Sequence, residues 1–154
     1  MNEIVRVKHL GIRFQNTEAL KDVTFSIEEG EIFGFLGPSG AGKTTTIKLL
    51  TNQLKAGHGD IQIFSKPIAE VRSELFEHIG VLSDNSGVYD NMSVYENLKI
   101  FADLKRIPHK NIDEILKKTN LSDAVNKKAK VLSKGMKQRL IFARAILHKP
   151  KILF

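Results

Sequence analysis

Residues 4–14, I-V-R-V-K-H-L-G-I-R-F, alternate apolar and polar positions and predict a β-strand with a bend at Gly11. Residues 19–27, A-L-K-D-V-T-F-S-I, predict a second strand, and Glu28-Glu29-Gly30 a turn. Residues 31–36, E-I-F-G-F-L, form a short apolar run of the length that suits a buried strand. Residues 45–54 carry Ile47, Leu50 and Leu54 at helical spacing. Gly57-His58-Gly59 predicts a turn, and residues 60–64, D-I-Q-I-F, a short strand. Residues 71–78 then read as a short helix, 79–82 (I-G-V-L) as a buried strand and 83–91 as loop.

The second half is helical. Ser93-Val94-Tyr95-Glu96 has capping-box spacing, with the serine capping the helix and the glutamate reaching back. Leu98, Phe101, Ala102 and Lys105 fall on or near one face of that helix. Pro108 breaks it, and residues 111–119 resume. Ser133 opens the last helix, whose apolar stripe is Leu132, Met136, Leu140, Ala143 and Leu147. Pro150 ends it, and residues 151–154, K-I-L-F, begin an apolar strand. No apolar run approaches the ~20 residues that span a bilayer, and the alternating first ten residues do not resemble a signal peptide.

Between the predicted strand at 31–36 and the helix that follows lies G-P-S-G-A-G-K-T-T. It fits G-x-x-x-x-G-K-[ST] and predicts a phosphate cradle made of Gly37, Pro38, Ser39, Gly40, Ala41, Gly42, Lys43, Thr44 and Thr45. The glycines let the backbone turn tightly and point N–H groups inward. The next helix directs its positive end at the same place. Lys43 would reach the β- and γ-phosphates of a nucleotide, and the Thr44 hydroxyl would bind Mg²⁺. The order strand, glycine loop, helix is the one this chemistry requires.

The 154 residues suffice for one domain with a core, and the lack of cysteine excludes disulfides and thiolate metal sites. The net charge of +7 is uneven: residues 1–98 sum to −4 and residues 99–154 to +11. Such asymmetry fits a solvated lysine-rich face, a nucleic acid or anionic membrane partner, or acidic residues beyond Phe154 that belong to this half.

A phosphate loop alone admits kinases, GTPases, helicases and transport ATPases. Residues 132–139, L-S-K-G-M-K-Q-R, decide among them. With the loop, they make the chain similar to the ATP-binding subunit of an ABC transporter, especially a drug- or antibiotic-export one. The family signature is L-S-G-G-Q followed by Q-R. Leu132, Ser133, Gly135, Gln138 and Arg139 match it; Lys134 and Met136 depart. Residues 57–64 resemble the family's G-x-I-x-I strand, 93–98 its T-V-x-E-N-L helix start, and 149–154 the approach to its second nucleotide motif.

The resemblance implies an α/β fold of the P-loop NTPase type, with an N-terminal antiparallel β part and a helical subdomain. A nucleotide-binding core would span residues 1–92, the helical subdomain 93–132, and the signature helix and next strand 133–154. The resemblance also implies a head-to-tail pair of subunits, with Ser133, Lys134, Gly135 and Met136 facing ATP held by the partner. Phe14 falls where the family stacks an aromatic ring on adenine; as a strand aromatic it is equally suited to a core. A serine such as Ser133 is also an ordinary helix cap. The implied setting is cytoplasmic, at the inner face of the membrane beside a separate transmembrane permease subunit.

Two departures qualify this. The family's loop glutamine, which meets Mg²⁺ and the attacking water, is Asp84 here. A carboxylate suits Mg²⁺ but is shorter and charged, and a water-facing loop residue is the other reading. The family's metal-side aspartate and water-polarising glutamate would lie beyond Phe154, so these residues are expected to bind MgATP with little or no turnover. The alternative reading is a non-hydrolytic nucleotide-binding fragment or regulatory module. The family's core sheet also places a strand from beyond Phe154 beside residues 31–36, so self-association through that edge is expected. Nucleic acid is not expected, because relatives that act on it carry two ATPase domains or long coiled-coil insertions, and neither is seen here.

Overall fold

The computed structural model describes residues 2–82 and 87–154. The chain divides into two compact units, Met1–Leu75 and Phe76–Phe154.

The first unit is built on a long hairpin. Strand β1 (Glu3–Phe14) pairs antiparallel with β2 (Thr17–Glu28), as the alternation predicts. The sheet order is β2-β1-β3-β4, with β3 at His58–Ile63 and β4 at Lys66–Pro67. The predicted turn at 57–59 is therefore partly strand. Register shifts near Leu10 bring Val5, Val7, Leu10 and Ile12 all into buried positions, although simple alternation would turn some of them outward. Helix α1 (Lys43–Leu50) is shorter than predicted; its Leu49 and Leu50 are buried.

Residues 31–36 overturn the expectation of a buried strand. Among the described residues no strand pairs with them, and Ile32 and Leu36 are 100% and 97% exposed. Phe33 and Phe35 face the other way and pack with Phe25 of β2, ring centroids 5.2–5.3 Å apart. An extended chain has two faces. Here one meets an aromatic cluster and the other meets solvent.

The second unit is helical with a short parallel pair. Helix α2 (Arg72–His78), which begins in the first unit, leads into β5 (Ile79–Gly80), which pairs in parallel with β6 (Ile152–Leu153). Helices α3 (Val94–Leu104), α4 (Lys110–Lys118) and α5 (Lys134–Ile146) enclose a core containing Leu98, Ile112, Leu121, Leu140 and Leu147. The capping box forms as predicted. Ser93 Oγ accepts from Glu96 N at 3.1 Å, and the Glu96 carboxylate accepts from Ser93 N at 2.7 Å.

Glu114 of α4 accepts from Lys118 at 2.8 Å and from Lys149, beyond α5, at 2.9 Å. Those two ammonium groups, Lys118 first, hold its carboxyl at about 2 instead of 4.5. A carboxylate depressed in this way favours the folded state above its ordinary value. The contribution is lost as pH falls through the lowered one. Glu114→Gln should make the melting temperature less sensitive to pH between 4.5 and about 2. An unchanged slope in a pH series of melts would remove this bridge from the account.

Candidate nucleotide site

Residues 37–42 form an open loop that leads into α1, whose first turn carries Lys43, Thr44 and Thr45. Gly40 and Gly42 take left-handed φ values of 85° and 84°, which turn the backbone around the loop. Gly42 is required by space as well. A Cβ there would strike the Leu20 side chain and stand 2.9 Å from Ala19 O, both on β2. The loop is thus seated against the hairpin that carries Phe14.

Lys43 turns back over the loop. Its Nζ donates to Pro38 O at 2.7 Å and Gly37 O at 2.8 Å. An ammonium has three donors, so a third remains for an incoming anion. Thr46 Oγ1 donates to Gly42 O at 3.0 Å and is buried, which spends it on the helix start. Thr44 is exposed, so its hydroxyl is the one presented outward. The first turn of α1 holds no acidic residue, so nothing competes with an anion for the positive end of the helix. This donor set fits a polyphosphate: main-chain N–H groups, one ammonium and one hydroxyl suited to Mg²⁺.

Phe14 ends β1 and is 45% exposed, so it is not a core residue.

The signature residues lie in the second unit. Ser133 is the N-cap of α5, its Oγ accepting from Met136 N at 3.2 Å. Its own O–H remains to donate. Ser133, Lys134 and Gly135 are exposed, whereas Met136 turns inward and packs partly buried against the helical core. A Cβ on Gly135 would meet nothing within 4 Å. The chain's own packing therefore does not demand glycine there, and the open backbone faces outward. Asp84 lies outside the described residues.

Sequence reasoning passed over two features beside the signature helix. Asn97 is 2% exposed; it accepts from Tyr89 N and donates to Tyr89 O, Met92 O and Ser93 O, gripping the loop at 87–93. Arg144, the one guanidinium in the apolar second half of α5, donates to Gly87 O at 2.8 Å over the Phe101 ring. A lone arginine among apolar neighbours is the signal for Arg144; Asn97, flanked by Glu96, carries no such signal.

Comparison with known proteins agrees with this geometry. The ABC transporter family profile matches residues 20–154. The chain is 38% identical over 154 residues to the ABC transporter ATP-binding protein YhcH of Bacillus subtilis, covering 99% of this chain and 50% of that one. It is 37% identical over 154 residues to the bacitracin transport ATP-binding protein BcrA of Bacillus licheniformis, with the same coverage. The chain thus spans about half the length of the curated relatives it matches. Among solved structures, cbiO1 of Clostridium perfringens, part of the cbiONQ complex, superimposes with a TM-score of 0.88 at 30% identity, over 99% of this chain and 64% of that one. No helix among the described residues is long and apolar enough to cross a membrane. With a phosphate loop, an exposed signature serine and a family match over most of its length, the chain belongs to the ATP-binding proteins of the ABC transporter family.

Proposed function

We propose that this chain is the nucleotide-holding part of a transport ATPase subunit that couples MgATP binding and hydrolysis to export through a separate membrane subunit. The observation that carries the reading is the Lys43 ammonium, poised over a glycine loop at a helix start free of acidic residues. Residues 37–45 hold the phosphates, Thr44 meets Mg²⁺ with Asp84 as a second metal ligand, and Phe14 stacks on adenine. The core spans 1–92, the helical subdomain 93–132 and the signature helix with its following strand 133–154.

Ser133, Lys134 and Gly135 serve ATP bound by a second subunit in a head-to-tail pair, with Met136 supporting them from behind. The open space at Gly135 supports this, because the glycine answers no need of the chain itself. Lys134 adds a cation beside those phosphates. The identity with a bacitracin transport protein favours a small molecule or peptide, such as an antibiotic, as the exported cargo. The subunit then works at the cytoplasmic face of the membrane.

Calorimetry with MgATP should show one site filled. No binding at all would overturn the reading entirely.

A further inference from the structure

Helix α5 carries two basic residues seven positions apart, Lys137 and Arg144, which lie on one side two turns from each other. Both reach the same loop. Lys137 Nζ donates to Asp90 Oδ1 at 2.8 Å, and Arg144 Nη1 donates to Gly87 O at 2.8 Å with its guanidinium 4.4 Å from the Phe101 ring centroid. The residues leading into the signature hold the loop too: Lys130 N donates to Asp90 O at 2.9 Å and Ala129 N to Met92 O at 2.8 Å. Asn97 grips it from α3.

We propose that Lys137 and Arg144 are positioning residues that latch the signature helix to the loop at 87–93, so that loop and signature end move as one piece. The backbone bonds and Asn97 already keep the loop folded. The Lys137–Asp90 pair is part-exposed, at 32% and 59%, and such pairs add little to stability. What the two cations add is rigidity between the body of α5 and the loop. That rigidity fixes where Ser133 and Gly135 stand when they meet an anion outside the chain. The inference rests on the proposed role of the signature in ATP-driven pairing.

The test uses the intact protein. Lys137→Asp and Asp90→Lys are each compared with the double reversal, and Arg144→Met with Arg144→Lys. Three quantities are measured: amide exchange at Lys130, MgATP affinity of the unpaired subunit, and MgATP-driven pairing by sedimentation. Each single reversal should speed Lys130 exchange about threefold and weaken pairing about tenfold. Affinity at the loop 37–45 should stay within about twofold, because the substituted side chains make none of that loop's hydrogen bonds. The double reversal should restore exchange and pairing. Arg144→Met should match the single reversals. Arg144→Lys, which keeps charge but loses the fork, should fall between it and wild type.

Faster exchange with unchanged pairing would make these contacts merely structural and overturn the proposal. So would unchanged exchange, or a double reversal that fails to restore pairing. A wild-type subunit that binds no ATP would instead overturn the reading of the loop at 37–45, and the latch would fall with it.

Discussion

Lys43→Ala will weaken MgATP binding by about 10- to 150-fold, corresponding to the roughly 1.5–3 kcal/mol of a hydrogen bond to a charged group. In the free loop the ammonium already has partners, Pro38 O at 2.7 Å and Gly37 O at 2.8 Å. Phosphate gains the third donor and a share of the charge without a full loss of those contacts. The lysine therefore arrives in place, with little side-chain freedom left to lose. Calorimetric titration of wild type and variant gives the ratio directly. Equal affinities would take Lys43 out of the site.

Gly42→Ala will have a large effect of a different kind, on folding first and binding second. At φ 84° an alanine is strained by about 1–3 kcal/mol. Its Cβ would also collide with Leu20 and Ala19 O, and overpacking of this sort costs about 1–3 kcal/mol. The sum, about 2–6 kcal/mol, can be read from the shift of a denaturant midpoint in the intact protein. ATP binding should be lost as well, because relief of the clash moves the loop off β2. Gly135→Ala is the internal contrast. It meets open space and sits in a helix, where alanine is favoured over glycine by about 0.8–1 kcal/mol. The protein should be as stable or more so, yet impaired in ATP-driven pairing. A Gly42→Ala variant as stable as wild type would contradict the seating of the loop on the hairpin.

How much of this could be read from the chain depended on whether the deciding interaction was local. The capping box at Ser93 and Glu96 was legible because both hydrogen bonds close within four residues. The loop at 37–45 was legible because each glycine answers a backbone requirement written into the motif. The stripe Leu132, Leu140, Ala143 and Leu147 was legible from helical periodicity, and all four are buried.

Residues 31–36 show the converse. An apolar run records a preference for burial, but burial of a strand on both faces needs neighbours on both sides. Here only the Phe33 and Phe35 side found a partner, in Phe25. Asn97, Lys137 and Arg144 were missed for a related reason. Their partners, from Gly87 to Met92, lie up to 57 residues away, and no periodicity records a contact with a loop carbonyl. Phe14 stood between core and ligand until its exposure removed the core reading.

Residues 37–45 should close around the phosphates of ATP. Titration of the ¹⁵N-labelled protein with MgATP, followed by amide chemical shifts, tests it most directly. The largest shifts should fall on the main-chain N–H groups of Gly40, Ala41, Gly42, Lys43, Thr44 and Thr45. Saturating shifts confined to other segments, or none at millimolar MgATP, would contradict it.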